Sequence, residues 1–192
     1  MQSRTVERDG STLPSYYSVK GDSLLKLPGT MNYLWSPWRM EYILADKSDD
    51  GCIFCNGLKQ EDGLANLIIC RGSKAFVMLN RYPYTSGHLM IVPCEHQPSL
   101  DLLLPESRAE VMELAACAVQ VLDALYAPQG FNLGMNIGTA AGAGITEHVH
   151  MHVVPRWVGD TNFMSSISQT RVLPELLEET YRRVKAAWEV GE

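Results

Sequence analysis

Long apolar runs are missing from this chain, and no segment approaches the roughly 20 consecutive apolar residues that cross a bilayer. The first residues carry charge and no apolar segment follows them, so we expect no secretory signal peptide. Cysteines are few and odd in number, with 5 among 192 residues, which disfavours a disulfide framework and fits reduced thiols. These absences predict a cytoplasmic protein without a membrane partner.

Basic residues are outnumbered as well. The 16 Lys and Arg residues face 22 Asp and Glu residues, which gives a net charge of −6 at pH 7. This balance argues against a broadly basic surface for nucleic acid, so any bound phosphate must be held locally by backbone N–H groups and a few placed side chains. The length of 192 residues suits one domain with a proper core.

Histidine is scarce, but its distribution is uneven. Three of the 5 histidines are His148, His150 and His152, which alternate with apolar residues. Successive side chains of a strand point to opposite faces, so this spacing predicts three imidazoles on one face and core residues on the other. An imidazole has an unperturbed pKa of about 6.5 and is mostly neutral and nucleophilic near neutral pH. The pattern therefore indicates a chemical site.

Two other interpretations of the histidines compete with a nucleophilic site. They could be hydrogen-bonded core residues, but three neighbouring buried rings would each need polar partners. They could form a metal centre of the zinc-hydrolase type. Residues at i, i+2 and i+4 of a strand spread over roughly 13 Å, so three rings would hardly converge on one ion. We therefore favour sequential use, in which one histidine attacks, its neighbour holds the developing charge and the third belongs to the framework.

Turn residues and apolar periods divide the chain into elements. Residues 1–30 show no sustained period and predict a flexible extension, followed by one domain over residues 31–192. Periods of 3.6 residues predict a long helix from Pro105 to about Ala127 and a last helix from Pro174. Apolar runs between turn residues predict strands at residues 67–71, 75–79, 88–92 and 131–138, before the histidine strand.

A loop of small residues, from Thr139 to Thr146, leads into the histidines. Such a loop can turn several N–H groups toward one point and form an anion nest. Loops rich in glycine are often only flexible turns. Beside a nucleophile, however, an anion nest would hold and polarise a phosphoryl group.

Cys52 and Cys55 form an isolated C-x-x-C pair. Nothing upstream resembles the βαβ setting of a thioredoxin-type motif, which disfavours a redox role. A zinc site would need two further nitrogen or sulfur ligands, and His96 and His148 are available to complete a set of two cysteines and two histidines. On spacing alone, bound zinc and two unliganded thiols stay equal alternatives.

The run from His148 to Val154 matches the His-φ-His-φ-His-φ-φ signature of the histidine triad (HIT) family, in which φ is an apolar residue. Residues 79–93 resemble the strand-turn-strand of Fhit-like members. Residues 34–42, 130–138 and 147–163 look like bacterial members of the diadenosine tetraphosphate phosphorylase type. The resemblance covers about residues 31–190 and implies an α+β HIT fold, with a five-stranded antiparallel sheet, one long packed helix, a C-terminal helix and a homodimer.

The resemblance also implies roles for individual residues. Members of the family cleave a nucleotide at its α-phosphorus through a covalent nucleotidyl-histidine. By position, His150 would be the nucleophile and His152 would contact the phosphate and leaving-group oxygens. The implied nucleotide contacts are Asn80 at the ribose, Met78 and Leu79 near the base, and Asn136, Thr146 and the loop residue Gly144 at phosphate. Cys52, Cys55, His96 and His148 resemble the zinc set of some bacterial members, and that zinc would be structural because all four ligands are protein.

We therefore predict an enzyme, a nucleotidyl hydrolase or transferase that acts on dinucleoside polyphosphates such as diadenosine tetraphosphate, or on related nucleotides. Hydrolysis and phosphorolysis differ only in the acceptor, so a phosphorolytic ATP adenylyltransferase is one alternative. A non-catalytic nucleotide-binding or scaffold protein is an alternative of a different class. A metal hydrolase that uses the triad is disfavoured by the geometry of a strand.

Overall fold

The computed structural model describes residues 51–160 and 175–191. The predicted extension over residues 1–30 and the domain boundary at residue 31 lie outside these ranges, so both stay predictions. Pro174, the predicted start of the last helix, lies outside them as well.

Within the described ranges, α-helices and strands follow one another in the order α1, β1, β2, β3, α2, β4, β5, α3. Their bounds are α1 Ile53–Leu58, β1 Ile68–Arg71, β2 Ala75–Leu79, β3 Leu89–Pro93, α2 Pro105–Tyr126, β4 Gly130–Met135, β5 Met151–Arg156 and α3 Leu177–Gly191. Single turns of 3-10 helix occur at Leu100–Leu102 and Thr139–Ala141. None of the helices in the described ranges has the length and apolar character to cross a membrane.

Helix α2 begins and ends where the sequence predicts. Pro105 suits the first turn because an N–H at that position would lack a helical partner. Ala127, just past the last residue, adopts a left-handed φ of 43° and ends the helix. The sequence pattern does not predict α1, because a helix of 6 residues is too short for an apolar period to show.

The five strands form one antiparallel sheet in the order β1-β2-β3-β5-β4, which confirms the predicted fold. Strands β2 and β3 pair from Ala75 opposite Pro93 to Leu79 opposite Leu89. Strand β5 lies between β3 and β4, and its His152 is paired with Met90 on one side and Gly134 on the other. The histidine segment therefore leads into the interior of the sheet and not to its edge.

Alternation along the strands gives the sheet two different faces. One face, here called the helix-covered face, packs against α2 and α3 and holds the larger core. Its buried side chains include Ile69, Ala75, Val77, Leu79, Leu89, Ile91 and Val153 from the strands, and Val111, Ala115, Ala118, Leu122, Val184 and Trp188 from the helices. Burial of these apolar groups is the main source of stability in such a domain.

The opposite face, here called the site face, carries a smaller apolar cluster. Its buried members are Phe54 from α1 and Ile68, Phe76, Met90 and Val92 from the strands. Met78 and Ile145 pack against this cluster and are partly buried. Neighbouring residues along β2 therefore point to opposite faces, one to the site face and the next to the helix-covered face.

The histidine segment differs from the prediction of a single extended strand. Strand β5 begins at Met151, so His148 and His150 precede the strand. The N–H of Val149 donates to the carbonyl of Gln97, at 2.7 Å, in the loop beyond β3. Because this part of the chain bonds to a loop and not to a neighbouring strand, the ladder with β3 stops at Met151. The three rings consequently need not share one flat face.

Candidate active site and metal centre

The four predicted metal ligands come together at one point. The ligand atoms of Cys52, Cys55, His96 and His148 all lie within 4.8 Å of one another. The Sγ atoms of Cys52 and Cys55 lie 3.3 and 3.7 Å from His148 Nδ1, and Cys55 Sγ lies 3.4 Å from His96 Nδ1. A tetrahedral zinc ion, with bonds of about 2.3 Å to sulfur and about 2.0 Å to nitrogen, separates sulfur from nitrogen by about 3.5 Å. These three sulfur–nitrogen distances are therefore close to those of a zinc tetrahedron.

The hydrogen bond made by His148 Nε2 favours metal binding through His148 Nδ1. His148 Nε2 lies 2.9 Å from the carbonyl oxygen of Pro93 and donates to it, so Nδ1 presents its lone pair to the cysteines. Burial lowers the pKa of His148, the bond to Pro93 opposes this, and the nearby His96 and His150 lower the pKa further. Neutral imidazole is the form that binds a metal ion.

A bound cation would stabilise Cys52 and Cys55 in their thiolate form. Burial raises the pKa of the Cys55 thiol, and the hydrogen bond and charge of Cys52 raise it further. Two thiolates side by side are therefore unfavourable until a positive ion neutralises them, which a divalent metal does. The residues present fit a zinc ion, and protein atoms would fill all four positions.

His150 is buried beside this cluster. Its Nδ1 lies 2.9 Å from the backbone carbonyl oxygen of His148 and donates to it, so Nε2 carries the lone pair of the neutral ring. A carbonyl at this position also stabilises the positive charge that develops when Nε2 forms a bond. The arrangement suits an imidazole that attacks an electrophile.

His152 contacts a fourth histidine, His88, whose side chain is completely buried. The backbone N–H of Tyr84 donates to His88 Nδ1 at 3.1 Å, so neutral His88 carries its hydrogen on Nε2. His88 Nε2 lies 2.9 Å from His152 Nδ1 and donates to it. His152 must then carry its own hydrogen on Nε2. These bonds make His152 a hydrogen-bond donor through Nε2.

A cavity of about 410 Å³ opens over the site face, and His150 and His152 are part of its lining. This volume is in the range of small-molecule sites. Its apolar lining residues include Ile53, Leu67, Met78, Met90 and Ile145, and its polar ones include Gln60, Asn80, Tyr82 and Tyr84. Arg81 also lines it, and the described lining contains no carboxylate. Such a cavity can hold an aromatic base on its apolar wall without repelling an attached anion.

The structure brings five of the predicted site residues into this lining, namely Met78, Asn80, Gly144, His150 and His152. Leu79 does not join them. Its side chain is fully buried in the core of the helix-covered face, because neighbouring residues of a strand point to opposite sides. The Leu79 side chain therefore does not line the cavity, and the place of Leu79 near the base stays a prediction. Asn136 and Thr146 are half-buried and lie outside the lining.

Sequence reasoning misses His88 and Phe54. His88 looks only like the first residue of a predicted strand, and its contact with His152 depends on which strand pairs with β5, which no local pattern reveals. Phe54 lies inside the C-x-x-C pair, where an apolar residue by itself predicts only packing. Its ring contacts with two histidines depend on a fold that the local sequence does not reveal.

The comparisons with known proteins agree with this geometry. The family profile of the HIT domain matches residues 64–158. The AP-4-A phosphorylase of Mycobacterium tuberculosis is 38% identical to this chain over 165 residues, which cover 81% of this chain and 83% of that protein. The chain belongs to the histidine triad (HIT) family. An adenosine 5'-monophosphoramidase of Schizosaccharomyces pombe is 30% identical to this HIT protein over 105 residues, which cover 55% of this chain and 74% of that protein.

Solved structures of HIT proteins share the fold. A zinc-bound histidine triad family protein from Mycobacterium smegmatis superposes with a TM-score of 0.58 at 27% identity, over 74% of this chain and 98% of that chain. A histidine triad nucleotide-binding protein from Sulfolobus tokodaii superposes with a TM-score of 0.57 at 22% identity, over 72% of this chain and 93% of that chain. The predicted family and the predicted α+β HIT fold are thus confirmed.

Proposed function

We propose that this HIT protein cleaves nucleotides at the α-phosphorus and transfers the nucleotidyl group through a covalent bond to His150. The observation that carries the proposal is the state of the His150 ring, which donates from Nδ1 to the His148 carbonyl and so carries its lone pair on Nε2 beside the cavity. The names of the relatives, AP-4-A phosphorylase and adenosine 5'-monophosphoramidase, support an enzyme of nucleotide cleavage or transfer. Dinucleoside polyphosphates and related nucleotides are the proposed substrates.

In the first step, the lone pair on His150 Nε2 forms a bond to the α-phosphorus while the bond from phosphorus to the bridging oxygen breaks. The electron pair of that bond leaves with the departing phosphate. The imidazole becomes a cation, which the His148 carbonyl stabilises through the Nδ1 hydrogen. His152, which carries a hydrogen on Nε2, donates to the phosphate and leaving-group oxygens, where phosphoryl transfer needs stabilisation.

In the second step, an acceptor oxygen attacks phosphorus, the bond from phosphorus to Nε2 breaks, and His150 regains its lone pair. Water as the acceptor releases a proton and gives a nucleoside monophosphate. Orthophosphate as the acceptor gives a nucleoside diphosphate. The name of the M. tuberculosis relative favours orthophosphate, so phosphorolytic adenylyl transfer is the second candidate function.

The proposed nucleotide lies along the cavity. Its base packs on the apolar wall that includes Met78, and its ribose lies near Asn80. The N–H of Tyr82 donates to Asn80 Oδ1 at 2.9 Å, which fixes this side chain at the end of β2. Gly144 supports the phosphate from the loop, and Asn136 and Thr146 are proposed phosphate contacts outside the lining.

We also propose that Cys52, Cys55, His96 and His148 hold a structural zinc ion. The ligand spacing and the zinc-bound M. smegmatis neighbour support this assignment. When bound, the ion cross-links α1 to the segment before β5 and offers no open position to water. The chemistry at phosphorus is therefore left to the histidines.

A homodimer in the cytoplasm is the proposed state of the protein. Strand β4 is at the edge of the described sheet, and Leu133 on it is 44% exposed. An edge with apolar side chains can take up a second copy of the same chain. None of the 5 cysteines, all of which lie in the described residues, is paired in a disulfide, which fits a reducing compartment. Light scattering is expected to give twice the mass of the chain, and Leu133→Lys is expected to give a monomer.

The decisive experiment is to trap the intermediate. Protein mixed with diadenosine tetraphosphate labelled at the α-phosphorus, and quenched in alkali, is expected to retain label. The variant His150→Ala is expected to retain none and to lose at least about a thousandfold in turnover. Undiminished turnover of that variant would remove His150 from the mechanism. Adding orthophosphate and finding ADP in place of AMP identifies the acceptor.

A further inference from the structure

Phe54 lies between the metal cluster and the proposed nucleophile. Its side chain is 1% exposed, and it is placed between the two cysteine ligands in sequence. Its ring lies 5.2 Å from the ring of His148, in an edge-on arrangement, and 5.0 Å from the ring of His150. One aromatic side chain therefore contacts both a proposed metal ligand and the residue that would attack phosphorus.

The support of α1 is divided between its two ends. Beyond the middle of the helix, side chains from the sheet side hold the backbone. Asn66 Nδ2 donates to two carbonyls, at 3.1 and 3.2 Å, and Arg71 donates to two more, at 2.8 and 2.9 Å. The four accepting carbonyls belong to Gly57 and Leu58 in the last turn of α1 and to Gln60 and Glu61 just beyond it. The far end of the helix is thus held without the metal cluster.

The first turn of α1 depends on a different set of contacts. Cys52 and Cys55 attach it to the two ligand histidines, and the burial of Phe54 adds an apolar contact. A helix of 6 residues is too short to hold its own shape in water. The Phe54 ring is therefore held both by its apolar contacts and by the ligand cluster that anchors the first turn.

The ring of His150 has two kinds of restraint. The bond from Nδ1 to the His148 carbonyl sets its tautomer, and packing with neighbouring rings sets its orientation. One neighbour is His152, at 4.9 Å, which lies on β5. The other is Phe54, at 5.0 Å, which lies on α1. Of these two ring contacts, only the one with Phe54 comes from the metal-bearing helix.

We propose that Phe54 is a positioning residue, which holds the His150 ring in its attacking orientation and makes that orientation depend on the assembled metal cluster. The proposal rests on the proposed function of His150 and adds a residue that acts through it. Reacting atoms must be aligned closely, and a misplacement of about 1 Å can cost about a hundredfold in rate. A looser ring is therefore expected to slow transfer more than it weakens nucleotide binding.

The chain offers a matched control for this test. Phe76 is also 1% exposed and belongs to the same apolar cluster of the site face. It lies on β2, does not line the cavity, and makes no ring contact with a histidine among the described residues. Phe54→Leu and Phe76→Leu therefore remove the same group from the same cluster, and only the first removes a contact to His150.

The experiment compares both variants with the wild-type protein, each loaded with zinc and checked for metal content and for nucleotide affinity with AMP. Single-turnover formation of the labelled nucleotidyl protein is expected to slow about tenfold or more in Phe54→Leu and to stay unchanged in Phe76→Leu. The affinity for AMP is expected to change little in either. Equal rates in the two variants would overturn the proposal. If Phe54→Leu fails to fold, Phe54→Met takes its place, since it keeps the volume and lacks the rigid ring.

A second readout does not depend on turnover. Solvent exchange of the His150 Nδ1 hydrogen, followed by NMR at one fixed neutral pH, reports how firmly the ring keeps its bond to the His148 carbonyl. Faster exchange is expected in Phe54→Leu and in chelator-treated wild type, and chelation should add little to the Phe54→Leu effect. Slow exchange in metal-free wild type would refute the coupling. If no nucleotidyl protein forms at all, the proposed function fails, and the exchange measurement still tests Phe54.

Discussion

The two faces of the sheet use the same strands and are supported in different ways. On the helix-covered face, apolar side chains meet α2 and α3, which are 22 and 15 residues long. On the site face, the covering helix has 6 residues and is held by side-chain hydrogen bonds to its carbonyls and by the ligand cluster. Buried apolar area stabilises the helix-covered face, whereas a few polar groups provide much of the support on the site face.

This difference explains why the site can be both placed firmly and open. A long helix over the site face would fill the space that the cavity occupies. A short helix leaves room for a nucleotide but buries too little apolar surface to stay in place alone. The metal ligands and the Asn66 and Arg71 bonds supply the missing support.

The largest effect on stability is expected when a buried side chain of either face is made smaller. Comparing one such change on each face distinguishes the two faces. Ile68 and Ile69 are neighbours on β1, both buried, with Ile68 in the site-face cluster and Ile69 in the larger core. Either change to Ala is expected to lower the free energy of unfolding by about 2–5 kcal/mol, measured by urea denaturation. Only Ile68→Ala should also weaken AMP binding, measured by calorimetry. Equal loss of AMP affinity in both variants would contradict the division into two faces.

Removing the metal is expected to act on one face. After chelation, the backbone amides of α1 should exchange with solvent faster by on the order of a hundredfold, because the first turn loses its attachment. The amides of α2 from Val111 onward should keep their protection, since those turns pack on the larger core. Hydrogen exchange read by mass spectrometry measures both. A similar acceleration in α2 would show that the metal supports the whole domain.

A smaller effect on rate is expected from His88, which holds the tautomer of His152. His88→Leu removes the donor to His152 Nδ1, so His152 can no longer be fixed with its hydrogen on Nε2. We expect kcat to fall by about tenfold to a hundredfold, with KM nearly unchanged, which is at or below the usual range for general acid–base catalysis. His88→Gln, which can still donate, should recover part of the rate. A pure rise in KM would instead make His88 a binding residue.

The smallest effect concerns the outer side of the helix-covered face. Burial would raise the pKa of Glu175, but hydrogen bonds from Tyr126, Thr180 and Arg183 outweigh it, and the pKa lies below its usual value of 4.5. A carboxyl whose pKa is lower in the folded state adds stability above the unfolded pKa and loses it as pH falls through the folded one. The difference in Tm between wild type and Glu175→Gln should therefore shrink as pH falls below 4.5. A difference that does not depend on pH would exclude the charge as its source.

Much of this architecture could be predicted from the sequence, because the relevant signals are local. The apolar period and Pro105 identify α2, and the alternation of β2 places Val77 and Met78 on opposite faces. The same alternation places Leu79 on the face of Val77, in the core. Alternation predicts that His148 and His150 belong to the strand, because it cannot show that the Val149 N–H bonds to a loop.

The contacts that the sequence could not supply are those between distant segments. His88 meets His152 across 64 positions, and Cys52 meets His148 across 96. Such pairs depend on the strand order, and no local period encodes it. The zinc set could be proposed by counting ligands, whereas the Phe54 contact became visible only with the fold.

His148 contributes to both sites, through its imidazole ring at the metal cluster and through its backbone oxygen at His150. Its imidazole belongs to the metal cluster, while its main-chain oxygen accepts from His150. Every amino acid has such an oxygen, so exchanging the side chain at this position need not disturb the proton arrangement of the attacking ring. A variant such as His148→Asn keeps this oxygen and with it the tautomer of His150, whereas the loss of its ion removes the support that Phe54 gives to the orientation of the ring. The main chain of residue 148 thus controls which nitrogen carries the lone pair, and its side chain controls where that nitrogen points.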